Sequence, residues 1–268
     1  MTADHKTVPD GQLGGHDGAV IDQLRKRVPI SRPTGPPAVN VISNYSLPGV
    51  DWDYYRVFYR ILGLGQHWPD GLTAHAAWEG RKGWRSFYLW DHERNADAYF
   101  AGVGIDTVTN TIRAMGVATG PAGTTDVVPR RLKVEDWLLG ASSGAFEGVG
   151  EDKDGNSIDA LGTRPVISEL ELNASAKTVA TALGFEREIP ADLLGLVLAE
   201  TSDGCQLLQI WSSAEIAEAA LRTLIFPALK RAGVEYDGDA ADSICELRLF
   251  LLAEGAAARF GPPGARQA

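Results

Sequence analysis

Apolar and polar side chains follow two different periods along this chain, one of two residues and one near three and a half. Apolar runs at 39–45 and 166–172 predict strands, and each leads into a stretch with helical spacing. In the first such stretch, 51–62, Trp52, Tyr55, Tyr59 and Leu62 fall on one helical face. Gly63 and Gly184 then stop the helices, because glycine accepts the left-handed turn that ends one. Two alternating segments come next, 72–78 and 84–90, joined through Glu79, Gly80, Arg81, Lys82 and Gly83 as a hairpin. Segments 193–199 and 205–211 repeat that pattern around 201–204. Ser212 and Glu215 have the spacing of a capping box and open a helix toward Ala232, while last strands are predicted near 127–134 and 244–252.

The chain repeats itself. Laying 62–90 over 183–211 matches Leu62 with Leu183, Gly63 with Gly184, Pro69 with Pro190 and Leu72 with Leu193. Without a gap, Glu79 then meets Glu200, Gly83 meets Gly204 and Trp90 meets Trp211. These are 7 identities in 29 positions, where average composition yields roughly two. Each copy has the order β-α-β-β-α-β, the ferredoxin-like unit. The predicted class is therefore α+β, with two tandem ferredoxin-like repeats closing into one barrel within the chain. This gives an N-terminal arm at 1–38, a first repeat at 39–139, a linker at 140–165, a second repeat at 166–254 and a tail at 255–268. Within the arm, 21–28 has the pattern of a short helix.

Composition changes the picture mainly by exclusion. With 35 acidic against 25 basic residues the net charge is -10, and no clustered basic face stands out for nucleic acid. The segment 1–18 has no apolar core of signal-peptide type, and no run approaches the roughly 18 apolar residues of a membrane span. Cys205 and Cys245 form neither a disulfide framework nor a zinc site. The expectation is a cytoplasmic protein with no nucleic-acid or membrane partner.

Candidate chemistry lies in the contrast between the copies. The first gathers His67, Trp68, His75, Trp78, Trp84, Tyr88 and His92 about one hairpin. At the matching places the second copy has Leu196 for His75, Leu207 for Ser86 and Cys205 for Trp84. Polar and aromatic groups cost desolvation when buried, so the first copy is expected to hold a ligand site and the second to serve as scaffold. The competing reading is that the tryptophans fill a core and His75 is structural. Strand alternation puts Leu72, Ala74, Ala76, Trp78, Trp84, Ser86, Tyr88 and Trp90 on one face, and Thr73, His75, Ala77, Arg85, Phe87 and Leu89 on the other. Alternation does not say which face looks inward. No GxGxxG, P-loop or GxSxG pattern occurs, and Asp152, Asp154 and Asn156 fail as a calcium loop because Ser157 stands where glycine is required.

The stretch from Pro69 to Phe100, echoed from Pro190 to Val234, is a hairpin ending in Trp followed by a capped helix. It resembles the dimeric α+β barrel superfamily that includes the antibiotic-biosynthesis monooxygenases, and the doubled form resembles oxygenases that open a ring in angucycline pathways. The resemblance implies an oxygenase of aromatic polyketide biosynthesis that uses O2 on a hydroquinone or phenolic polycycle, with C–C cleavage. It implies no tightly bound cofactor and no metal. A reduced flavin, supplied by a flavin reductase, is left open as the source of the hydroquinone, as is the choice between monomer and homodimer. In that reading His75 transfers protons, Trp68, Trp78, Trp84 and Tyr88 hold the aromatic substrate, and Asn44 and His67 hydrogen-bond its oxygens. A cofactor-free polyketide cyclase and a non-catalytic, small-molecule-binding stress protein are the rival readings.

Overall fold

The computed structural model describes residues 15–29, 41–47, 50–55, 57, 69–80, 83–103, 110, 114, 130–139, 149–151, 157–159, 165–185, 188–236 and 238–252. The chain begins with helix α1 (Gly15–Arg25) and strand β1 (Arg27–Pro29). The first half continues with β2 (Val41–Leu47), helical residues at 52–55 and 57, β3 (Leu72–Gly80), β4 (Gly83–Trp90), α2 (Glu93–Val103) and β5 (Arg130–Leu139). Two short strands, β6 (Val149–Glu151) and β7 (Ser157–Asp159), lie between the halves. The second half has β8 (Val166–Leu172), α3 (Ala176–Leu183), β9 (Glu188–Pro190), β10 (Leu193–Thr201) and β11 (Gly204–Trp211). It ends with α4 (Ala214–Ala220), a π-helical turn at Leu221–Ile225, α5 (Phe226–Arg231) and β12 (Ile244–Leu252).

Eight antiparallel strands form the main sheet in the order β3-β4-β2-β5-β10-β11-β8-β12, and a further pairing of β12 with β3 closes the ring. The strand sequence within each half is the same: β3-β4-β2-β5 in the first and β10-β11-β8-β12 in the second. Both seams between halves carry a register shift, near Leu198/Ala199 where β10 meets β5 and near Leu247/Leu249 where β12 meets β3. Such bulges bend a strand, and here they occur where the sheet must turn to close. β6 and β7 add to the outside of β12, and β1 pairs with β9, so parts of the arm and the linker are ordered against the second half.

Closure sorts the alternating side chains into an inside and an outside. Every barrel strand sends residues to the interior, among them Ile42, Trp78, Phe87, Trp137, Ile167, Val197, Leu208 and Phe250. This shared interior is packed with side chains. Outside the sheet, α3 and α4 cover an aliphatic layer that includes Leu170, Leu196, Leu198 and Leu207. The corresponding layer of the first half is aromatic, with Tyr45, Tyr55, Trp84, Tyr88 and Trp90.

Local signals account for the element ends. Ser175 caps α3 by accepting from the Thr178 amide, and Gly184 ends it with φ 64°. The cap of α4 is Ser213, which accepts from the Ile216 amide, whereas the expected Ser212 turns its hydroxyl to Asp192 at 2.9 Å. Pro227 has no N–H to donate, and the π turn directly before it takes up the change of hydrogen bonding within the helix. The first hairpin turns more tightly than the expected five-residue connection, since Gly80 pairs with Gly83.

Gly204 comes so close to β8 that a Cβ there would stand 2.0 Å from the Leu172 carbonyl oxygen, while a Cβ on Gly102 would meet nothing within 4 Å. Gly204→Ala is expected to cost about 1–3 kcal/mol of unfolding free energy. Gly102→Ala is expected to add up to about 1 kcal/mol. Urea unfolding of both variants checks this, and equal midpoints would contradict the close approach of β11 to β8.

Candidate active site

The register places four residues side by side across the first half. Arg131 on β5 pairs with Ser43 on β2, Ser43 pairs with Tyr88 on β4, and Tyr88 pairs with His75 on β3. Residues opposite one another in a sheet share a face, so all four form one row on the helix-facing side. Strand spacing makes the row about 14 Å long. The equivalent row of the second half is Ile244, Ser168, Gln209 and Leu196. Its two ends are aliphatic where the first row has a guanidinium and an imidazole.

His75 is fully buried. Its Nδ1 lies 2.8 Å from the Phe87 carbonyl oxygen, which can only accept, so Nδ1 carries the proton. That leaves Nε2 as an acceptor, and the Tyr55 hydroxyl donates to it at 2.9 Å. Tyr88 stacks on the imidazole with ring centroids 4.2 Å apart. Burial holds the His75 pKa down to about 4, partly opposed by the bond to Phe87, so the ring is neutral at pH 7. Burial also pushes the Tyr88 hydroxyl well above its ordinary value, with the nearby tyrosines and a hydrogen bond to Tyr55 adding to the rise. Hydrogen bonds thus run from Tyr88 through Tyr55 and His75 to the Phe87 carbonyl.

Aromatic rings frame this relay. Trp84 stacks on Tyr55 at 4.4 Å and Trp52 on Trp84 at 5.4 Å. Tyr99 and Phe100 of α2 pack against Trp90 at 5.3 and 5.9 Å. Burial likewise raises the hydroxyl pKa of Tyr45 and Tyr99. Several polar atoms of this layer are buried without a hydrogen-bond partner among the described residues: Ser43 Oγ, Trp84 Nε1, Trp90 Nε1, Tyr99 OH and Arg131 Nη1.

The structure divides the residues expected from the sequence. His75, Trp84 and Tyr88 come together in the aromatic layer, whereas Trp78 and Asn44 point into the barrel. Trp78 packs edge-on to Phe87 at 6.1 Å, and Asn44 donates to Gln206 at 2.6 Å. Gln206 in turn donates to Glu169 at 2.7 Å, and Glu169 pairs with Arg85. This polar chain ends beside a pocket of about 250 Å³ at the barrel mouth, lined in part by Arg85, Glu169, Glu171 and Cys245. His67 and Trp68 lie outside the described residues. His92 accepts from the Arg94 amide at the start of α2, away from the relay.

The grouping of faces expected from strand alternation is corrected by the hairpin. Because Gly80 opposes Gly83, Trp78 stands across from Arg85 and His75 across from Tyr88. The two strands therefore exchange parity relative to a longer loop, and Trp78 parts from Trp84 and Tyr88. Ser43, Tyr55, Tyr99 and Arg131 are additions to the residues expected from sequence. Tyr55 carries a signal, an aromatic on the sheet-facing stripe of a predicted helix, but Ser43 and Arg131 are recognisable only from cross-strand pairing.

No protein-family model matches the chain, and no curated protein matches it. Solved structures do. A candidate monooxygenase from Lactobacillus acidophilus NCFM has 8% identity and a TM-score of 0.50, covering 81% of this chain and 97% of its own. Another candidate monooxygenase, from Fusobacterium nucleatum, has 10% identity and a TM-score of 0.47 over 81% of this chain and 96% of its own. An anthrone oxidase-like protein has 13% identity and a TM-score of 0.43 over 84% and 94%. The first of these shares the α+β fold. Among the described residues no three His, Cys, Asp or Glu side chains gather as metal ligands, and no helix is long and apolar enough to cross a membrane.

The His75 environment has a consequence for stability. Unfolded, the ring takes up a proton near pH 6.5, whereas the folded protein holds it neutral down to about pH 4. The unfolded state therefore binds more protons within that window, and stability is lost as pH falls through it. The contribution of this group is about 3 kcal/mol. Denaturant melts of His75→Gln between pH 4 and pH 7 are expected to show a correspondingly flatter pH dependence; an unchanged slope would mean that the ring is already charged in the folded protein.

Proposed function

We propose that the protein is an oxygenase that takes O2 to an electron-rich phenolic or hydroquinone polycycle of aromatic polyketide, angucycline-type, antibiotic biosynthesis. We further read its architecture as a doubled ferredoxin-like unit that has specialised its first half. The observation that carries the proposal is the neutral, buried His75 holding the Tyr55 hydroxyl inside an aromatic layer, with Leu196 in its place in the other half. The fold shared with a candidate monooxygenase supports the same reading. The packed barrel interior favours a site between sheet and helices over one inside the barrel.

The chemistry needs a base that works only when an anion forms beside it. At pH 7 a charged His75 without an anion beside it costs about 4 kcal/mol, three pH units below neutrality being its titration point. When the phenolic proton of the substrate passes to Tyr55 and the Tyr55 proton to Nε2, phenolate and imidazolium arise together and each offsets the burial of the other. The phenolate gives one electron to O2, and the resulting radical pair joins to make a C–O bond at a hydrogen-bearing ring carbon ortho or para to an oxygen. The peroxide takes back the proton held on His75. Loss of water with the ring hydrogen leaves a carbonyl, so one oxygen atom enters the product and the other leaves as water. The substrate is the reductant of O2 in this step. A reduced flavin from a partner reductase would act earlier, on the quinone form of the substrate. Ring opening by C–C cleavage would start from the same peroxide.

Substrate rings would lie along the row, exchanging contacts with the partly exposed Trp52, Tyr54, Tyr99 and Phe100 for contacts with themselves. Oxygen uptake with 1,5-dihydroxynaphthalene, whose ring carbons para to the hydroxyls carry hydrogen, is the direct test. Wild type is expected to consume one O2 per quinone formed, and His75→Gln and Tyr55→Phe to lower kcat by about 10²- to 10⁴-fold with the fold intact by circular dichroism. Full turnover in His75→Gln removes the base from this mechanism. Conversion of the substrate without O2 uptake would favour a cyclase.

A further inference from the structure

We infer that the Arg131 end of the row is a subsite for an anionic, acceptor-only group of the ligand, a carboxylate or an ionised oxygen carried on the same fused-ring system. This rests on the reading of the layer as a substrate site and names the feature that such a substrate must carry.

Buried polar groups without partners among the described residues occur at that end. Ser43 is fully buried and its hydroxyl has no partner among the described residues. Its second-half counterpart Ser168 donates to Gln209 at 3.2 Å. In the first half Tyr88 takes the place of that glutamine and its hydroxyl is engaged with Tyr55, so Ser43 is left over. Next in the row, Arg131 lies with its guanidinium carbon 5.1 Å from the centroid of the Phe100 ring. Its Nη2 bonds the exposed Asp97 at 3.1 Å, while Nη1 is buried and unpaired among the described residues. Tyr99 OH and Trp90 Nε1, on rings that pack against Phe100, are buried and unpaired in the same sense.

These groups share a chemical sense. Arg131 Nη1 and Trp90 Nε1 can only donate, and both hydroxyls can donate. Asp97 is the charged partner that faces the guanidinium, and it occupies Nη2. A buried donor without an acceptor costs about 1–3 kcal/mol, so several on one face are retained at the expense of stability. A ligand carboxylate, with a negative charge and about four lone-pair sites on its two oxygens, offers acceptors enough for these donors. The aliphatic Ile244 at the matching place of the second half gives that row no cation to offer.

The two ends of the row then have different tasks. Tyr55 and His75 accept the proton of the reacting phenol, and Arg131 with Ser43 fixes the far end of the ring system so that the phenol reaches Tyr55. A planar polycycle lying along about 14 Å of sheet spans them.

Quenching of tryptophan fluorescence by anthraquinone-2-carboxylate and by its uncharged carboxamide separates charge recognition from ring stacking. Wild type is expected to bind the carboxylate more tightly by about 10- to 100-fold, the size of a charge-assisted hydrogen bond in a buried place. Arg131→Gln should abolish the difference by weakening the carboxylate alone, and Ser43→Ala should reduce it. Arg131→Lys, which keeps the charge beside Asp97, should retain part of the preference and serves if the glutamine variant does not fold. Equal affinity of wild type for the two probes, or equal weakening of both by Arg131→Gln, overturns the subsite. Neither measurement requires turnover. A carboxylate preference without oxygen uptake keeps the subsite and removes the oxygenase reading, and oxygen uptake without that preference does the reverse.

Discussion

The antiparallel pairing of β12 with β3 sets the conditions under which the rest of this molecule is built. An open eight-stranded sheet would leave β3 and β12 as edges and both faces to be covered separately. Once the ring is closed, every strand has two neighbours and one face of each strand points to a common interior. That interior holds apolar side chains from both halves, so neither half completes its core alone. The remaining faces must be covered by helices. A site for a planar ligand then has its natural place in one of the two sheet–helix layers, where rows of side chains lie flat.

The two halves use this arrangement differently. Leu196, Leu198 and Leu207 with the buried faces of α3 and α4 form a mainly aliphatic layer, in which Trp211 Nε1 and Gln209 Nε2 are buried without partners among the described residues. The first half instead buries an imidazole, several tyrosines and two indole N–H groups without partners among the described residues. Such a layer is less stabilising than an aliphatic one of equal area, because each unsatisfied donor subtracts from the benefit of burial. The second half and the shared interior can carry that cost, since closure makes the whole sheet one cooperative unit. Two halves in one chain are free to differ in this way, whereas two identical subunits would have to repeat the same compromise in each.

Polar side chains inside the barrel have a distinct part. Asn44, Gln206, Glu169 and Arg85 cross the interior from one half to the other. Burial raises the Glu169 pKa, with the Arg85 guanidinium acting against the rise. A buried network of this kind contributes little net stability, but its directional bonds reject alternative registers that apolar packing alone would tolerate.

Much of the architecture is legible in the chain itself. The runs at 166–172 and 244–252 coincide with β8 and β12, and the match of Trp90 with Trp211 marks equivalent strand ends. The contrast between His75 and Leu196 also identifies the half that differs. These features depend on local periodicity and on residue type, which a linear sequence displays directly. Parity is not displayed in this way. The face on which Trp78 lies depends on whether the hairpin connection holds an odd or an even number of residues, and the row of Arg131, Ser43, Tyr88 and His75 exists only because strands distant along the chain pair in one register. Sequence thus determined the eight barrel strands, their order and which half carries unusual side chains; tertiary structure added the short strands β1, β6, β7 and β9 and decided which of those side chains meet, because a one-residue change in strand register moves a whole set of them from one face of the sheet to the other.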